Sequence, residues 1–246
     1  MKVVYSPKCS LIEEHKQQKY TMPERSPLRV KVEGDLACAT RPEMKVERVS
    51  YDLITPSAAR GILESIFWKP AFKWRIQRIR VLRPIRRISV MRSEVTKQAS
   101  VRSAKGWAKE GEGHYFADDD HTQRHTLALR DVAYVIEANV HRVGYGKDEH
   151  PAKYRDQFRR RVERGQCYHR PYLGCREFAA RFAPPDGSEA PPDELAGQTR
   201  PLGRMLFDID YDADEEGRGK PVFFNARLED GVLDLTGEQH LYDQIQ

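Results

Sequence analysis

Thirteen lysines and arginines lie between Lys69 and Lys109 against a single acid, Glu94, a local balance of +12. Cations at this density suit phosphate, because each neutralised phosphate releases counterions. The alternative is a solvated strand surface. The far end of the chain has the opposite sign: residues 205–246 carry eleven acids against three bases. That end is expected to meet a basic protein partner rather than nucleic acid. Asp118, Asp119, Asp120, His121 and His125 could in principle ligate a metal. Successive acids in an irregular segment rarely converge on one ion, so no metal is expected. Gly144-Tyr145-Gly146 is too short for a phosphate loop, and there is no Walker loop, nucleophile elbow, HExxH or dinucleotide fingerprint. Any catalysis should therefore use acid–base groups and cations, with no cofactor.

The elements that must position these residues follow from the spacing. Thr55 and Pro56 open a helix whose residues Ala58, Ala59, Ile62, Leu63 and Ile66 share a face, and Pro70 closes it. Residues 28–39 alternate as a first strand. Residues 72–76 and 79–81 alternate in opposite phases, which predicts one long strand with a β-bulge at Gln77-Arg78. Lys73, Arg75, Arg78, Arg80 and Arg83 would then form a cationic face. Trp68, Trp74 and Trp107 are available for stacking on bases, with Trp74 better suited to the core beside Phe72 and Ile76. Residues 84–113 form a long basic segment, either functional or a surface loop. Residues 126–140 predict another strand.

Pro151 to Arg164 predicts a second helix with Tyr154, Phe158 and Val162 as its core stripe and Gly165 as its stop. Tyr172 to Phe182 is a further strand, and His169, Arg170 and Tyr172 surround a turn at Pro171. The order is that of a ferredoxin-like βαββαβ plan, an α+β fold. Residues 184–204, rich in Pro and Gly, read as a flexible loop. Residues 205–211, 222–228 and 232–235, with a turn at Asp230-Gly231, predict a small antiparallel C-terminal sheet. The expected organisation is an extension at 1–26, a first domain at 27–183, the loop, and a small domain at 205–246. Met22 is an alternative start that would make residues 1–21 an upstream extension. No apolar run is long enough to cross a bilayer, no signal-peptide core is present, and the four cysteines lack CxxC spacing. A cytoplasmic address follows, with Cys167 and Cys175 as buried small apolar groups.

Four segments occur in order: Val49-Ser50-Tyr51, the helix TPSAARGILESIFWKP at 55–70, LALRDVAY at 127–134 and GQCYHRPYLGCREF at 165–178. Together they resemble the fifth CRISPR-associated (Cas) protein family, in the variant of subtype I-C systems, over about residues 28–240. The resemblance implies a RAMP-type ferredoxin-like domain in which a basic β-hairpin "thumb", inserted within residues 84–113, clamps RNA. It implies metal-independent cutting of CRISPR repeat RNA by 2′-OH attack, leaving a cyclic phosphate. The protein would then hold the 5′ handle as a subunit of the surveillance (Cascade) complex, beside backbone and large subunits and target DNA.

Relatives place a tyrosine near the end of the first helix, where this chain has Phe67. They place a Lys-His pair at the start of the second, where this chain has Lys153 followed by Tyr154. Lys153, as transition-state cation or as base, is therefore a candidate catalytic group, and Tyr51 or His150 could replace the missing proton-transfer group. Candidate RNA contacts are Lys69, Arg75, Arg78, Arg80, Arg86, Arg87, Arg160, Arg164 and His169. Two other readings stand beside the nuclease: a non-catalytic subunit that binds the 5′ handle, and a single-strand RNA binder outside CRISPR.

Overall fold

A computed structural model describes residues 26–97, 100–148, 150–211 and 219–245. The possible upstream extension at 1–21 lies outside the described residues. In chain order the elements are β1 (Leu28–Ala37), β2 (Arg48–Val49), α1 (Pro56–Ile66), β3 (Phe72–Val81), β4 (Arg86–Val95), α2 (Val101–Glu110) and β5 (His121–Arg142). There follow α3 (Pro151–Glu163), β6 (Arg181–Ala183), β7 (Thr199–Asp210), β8 (Lys220–Glu229), β9 (Val232–Asp234) and α4 (His240–Gln244). The strands form one curled sheet in the order β6-β1-β5-β3-β9-β8-β7, antiparallel along this path. β7, β8 and β9 extend the sheet through the pairing of β9 with β3.

Local chemistry sets the main elements. The Thr55 hydroxyl accepts a hydrogen bond from the Ala58 N–H at 3.2 Å, and Pro56 occupies the first helical turn of α1. Ala59, Ile62, Leu63 and Ile66 of α1 are buried, as are Tyr154, Phe158 and Val162 of α3. Both helices lie on the sheet face that presents Phe72, Trp74 and Ile76 of β3, with Val30 and Val32 of β1 in the same core. Each such side chain contributes on the order of 1.5–3 kcal/mol by leaving water. The register of β3 against β5 slips between Ile76 and Arg78, the bulge that the change of phase predicts.

β5 is 22 residues long and changes neighbours along its length. Residues 134–142 pair with β3, whereas residues 121–130 pair with β4. At the change stands Asp131, a non-glycine residue with φ of 53°, in the left-handed region that Asp tolerates better than most. β4 and the first half of β5 form a projecting arm, with α2 between them. Ser100 caps α2 through Ser103 N–H, and Gly111 ends it at φ 73°. The sequence expectation missed α2 because its apolar residues Val101 and Ala104 face solvent, not a core.

Two further expectations change. The strand foreseen over 172–182 is reduced to β6 and a single bridge between Tyr172 and Ala179. The chain doubles back between them: Leu173 N–H donates to Phe178 O, and Gly174, at φ 86°, sits where a Cβ would be 2.0 Å from Cys38 O. Residues 184–198 lie on the sheet and do not loop freely. Leu195 is buried, and Arg29 and Lys31 of β1 reach Glu189 and Asp186.

Candidate active site and nucleic-acid interface

The C-terminal end of α1 gathers the elements of the site. A helix leaves its last carbonyls without intrahelical partners, and here three separate elements supply them. Ser65 O accepts from the N–H groups of Tyr168 (2.8 Å) and His169 (3.1 Å), Ile66 O from the Arg161 guanidinium (2.7 Å), and Phe67 O from the Trp74 indole (3.0 Å). The loop after α3 can reach Ser65 because Gly165, at φ 63°, turns the chain and Gln166 N–H closes back on Arg161 O. Phe67 itself is buried, 5.4 Å from the Phe72 ring and beneath the Arg161 guanidinium at 5.2 Å.

The start of α3 lies along the same edge. Phe72 bridges the two helices, with its ring 5.0 Å from Tyr154. The connection from β5 into α3 packs on the residue that follows Pro70: Val143 N–H donates to Ala71 O at 2.9 Å, and Gly146 lies against Ala71. His150 is the N-cap of α3. Its Nδ1 accepts from Ala152 N–H at 3.2 Å, and its carbonyl accepts from Lys153 N–H at 3.1 Å. An Nδ1 that accepts leaves the proton of the neutral ring on Nε2. Lys153 is exposed, with Nζ 5.7 Å from the Tyr154 ring. The connection that leads to His150 and Lys153 thus packs on Ala71, two residues after Lys69.

Tyr51 is not brought to it. It precedes the other end of α1, a helix about 16 Å long. It is buried under Arg41 (4.5 Å), and its oxygen accepts from Leu206 N–H at 3.2 Å. Burial pushes its phenol up despite that hydrogen bond.

The cations divide into two groups. Arg78 meets Asp234 at 2.9 Å and Glu137 at 3.7 Å; Arg80 and Arg29 meet the same Glu137 at 3.1 and 3.4 Å. Arg75 pairs with Asp243, and Arg83 with Glu33 and Asp131. Arg87 pairs with Asp52, which also holds Arg200 at 2.9 Å. Of the face foreseen as a cationic path, Arg78 and Arg80 therefore share the buried Glu137, Arg75 and Arg83 pair with other acids, and Lys73 is exposed. Three acids of the C-terminal segment are also engaged within the chain: Asp208 with Arg60, Asp234 with Arg78 and Asp243 with Arg75. By contrast Lys69, Arg86, Arg160 and Arg164 are exposed or nearly so, without a carboxylate partner among the described residues. His169 is exposed and meets the Tyr168 ring edge-on at 4.3 Å.

A family profile described as CRISPR-associated protein (Cas_Cas5), of the Cas5d type, matches residues 27–236. The chain belongs to the Cas5 family. It is 46% identical over 215 residues to the CRISPR pre-crRNA endoribonuclease Cas5d of Mannheimia succiniciproducens, covering 85% of this chain and 94% of that one. It is 42% identical over 228 residues to the protein of the same name from Thermus thermophilus, covering 87% and 93%. A crystal structure of a CRISPR-associated protein superposes with a TM-score of 0.60 at 21% identity, covering 84% of this chain and 90% of the other, and shares the fold.

Within this Cas5 chain the remaining sequence candidates fall as follows. Among the described residues no three His, Cys, Asp or Glu side chains are grouped to hold a metal. Asp120 instead pairs with Lys97 at 2.7 Å. Among the described residues no helix is long and apolar enough to cross a membrane. Cys175 is buried as expected, but Cys167 is exposed because it rides on the loop that caps α1. The same loop carries Tyr168, which sequence reasoning passed over. Its only signal is its place after the Gly165 stop, where chain leaving a helix is free to present a side chain.

Proposed function

We propose that this Cas5 protein is a metal-independent pre-crRNA endoribonuclease that remains on the 5′ handle it generates. What carries this reading is the packing of the connection into His150 and Lys153 on Ala71, two residues after Lys69, in a chain whose relatives are named pre-crRNA endoribonucleases. The 2′ oxygen of the ribose attacks the adjacent phosphorus, the P–O5′ bond breaks, and the products are a 2′,3′-cyclic phosphate and a 5′-hydroxyl. The 2′ proton leaves to water. Lys153 places a cation beside the oxygens that gain charge in the transition state. The Nε2–H of His150 hydrogen-bonds the departing 5′ oxygen, which takes its proton from water. Lys69, Arg160, Arg164 and His169 hold the flanking backbone, and Arg86 engages RNA from the arm.

The strand order β6-β1-β5-β3, with α1 and α3 on one face, supports reading residues 27–183 as a ferredoxin-like processing domain with the β4–α2–β5 arm as its thumb. In this reading the protein sits in a surveillance complex beside backbone and large subunits, with target DNA nearby.

The test is incubation of the purified protein with the repeat RNA of its own array in EDTA, beside Lys153→Ala. The expected result is cleavage with a cyclic-phosphate end by the wild type and a loss of roughly 100-fold or more in the variant. A second reading, a handle-binding subunit without catalysis, is favoured by one observation: Phe67 has no hydroxyl and is buried. Tight binding with no cut by either protein would leave that reading and remove the nuclease.

A further inference from the structure

We infer that Trp68 and Tyr168 form a base-stacking subsite that holds one unpaired nucleobase of the RNA next to the Lys153 edge. The inference rests on the RNA-processing reading above and adds a contact to the base, where that reading supplies contacts to phosphate and ribose only.

Trp68 is 55% exposed and Tyr168 is 76% exposed, although each is a neighbour of buried structure. Phe67, the residue before Trp68, is fully buried, and the Tyr168 backbone is fixed to α1 by the 2.8 Å bond to Ser65 O. Ser65 lies three residues before Trp68, and the chain leaves α1 at Phe67, whose backbone is extended, so both rings stand on backbone anchored at the C-terminal end of α1. Those backbones are fixed on both sides. The Phe67 carbonyl is held by Trp74, Phe72 N–H reaches Lys69 O, and Gly165 and Gln166 close the loop onto α3. Little ordering remains to be lost when a ligand stacks there.

Two large aromatic rings kept in water on rigid backbone mark a recognition surface rather than a core. The surrounding charge chooses the ligand. Lys69 follows Trp68, Arg161 reaches Ile66 O and the Phe67 ring, and exposed Arg164 and Arg170 flank Tyr168 in the chain beside the single exposed acid Glu163, whereas Glu64 of α1 is engaged by Arg60 at 2.9 Å. Aromatic rings interleaved with cations fit single-stranded RNA, since every base offers a π-face and every nucleotide a phosphate.

The experiment measures equilibrium binding by the full-length protein to its repeat RNA, by fluorescence anisotropy. It uses a series of RNAs with one abasic nucleotide moved through the positions flanking the cleavage site. Trp68→Ala and Tyr168→Ala are each expected to weaken binding roughly tenfold, within the range known for base–aromatic stacks. Trp68→Phe and Tyr168→Phe should stay within about twofold, because a ring is kept. One abasic position should reproduce the loss in the wild type and add nothing further in Trp68→Ala. Alanine variants that bind every RNA as the wild type does would overturn the subsite, as would abasic losses that add in full to the alanine losses. Alanine variants with normal RNA binding but lost association with partner subunits would assign the rings to a protein interface and also overturn it. Binding is read independently of cutting, so a protein that binds without cutting still tests the stack. A wild type that binds no repeat RNA would remove both readings together.

Discussion

The sheet face behind β3 and the edge formed by α1 and α3 are both rich in arginine and lysine, yet they are electrostatically unlike. On the first, Arg29, Arg78 and Arg80 converge on the single buried carboxylate of Glu137, with Asp234 and Asp243 meeting Arg78 and Arg75 from the C-terminal elements. On the second, Lys69, Arg160 and Arg164 meet no carboxylate among the described residues. A count of positive charges along the chain therefore overstates what is available to a ligand. The first set joins β1, β3 and β5 to the C-terminal strands; the second faces water and can exchange its counterions for phosphate.

The largest effect that would test this contrast is Glu137→Ala. It leaves three arginines around one vacated site and should cost about 3–5 kcal/mol of stability, read as a fall in the denaturation midpoint. A change under about 1 kcal/mol would show that the network does not hold the sheet. Next is Arg160→Ala with Arg164→Ala. Stability should stay within about 0.5 kcal/mol, while the slope of log K against log salt for repeat RNA falls by about 1.4. The matching pair on the other face, Arg78→Ala with Arg80→Ala, should show the reverse pattern.

A smaller effect concerns Asp234. Burial opposes its charge, but the N–H and hydroxyl of Thr236 and the Arg78 guanidinium outweigh it and hold the carboxyl below its ordinary value. A depressed folded value means this contribution is present above the unfolded carboxylate range and is lost as pH falls through the folded one, below about pH 4. Asp234→Asn should therefore destabilise the protein at neutral pH and lessen its further loss of stability in acid. The smallest effect is on the arm, where Arg86 stands directly opposite Arg130. Arg130→Glu should raise stability by about 0.5 kcal/mol and weaken repeat-RNA binding, read by thermal denaturation and by anisotropy.

What the sequence made legible was local. Thr55-Pro56 capped the helix it was expected to cap, the change of phase at Gln77 marked a bulge, and Asp230-Gly231 turned β8 into β9. Each depends on chemistry within a few residues. What it concealed depends on distance. Nothing near Glu137 in the chain announces that it lies under arginines from β1 and β3, more than fifty residues away. The same holds for the proposed active edge. Lys153 and His150 could be singled out from the chain, but that Tyr51 faces β7 follows only from the pairing of Leu206 with its hydroxyl. Sequence reasoning buries Cys167 and passes over Tyr168, because the bonds from Tyr168 and His169 N–H to Ser65 O that fix this loop span about a hundred residues.

One feature of β5 bears on how the arm can act. The strand is continuous from His121 to Arg142, and its single left-handed residue, Asp131, stands where the neighbouring strand changes from β3 to β4. The ten residues of β5 in the arm reach about 33 Å beyond that point. Because β1 and β2 still grip β5 beyond Asp131, at Leu129 and at Thr126 and Leu127, the arm is buttressed at its root: the kink sets the direction in which it is aimed, not how far it swings.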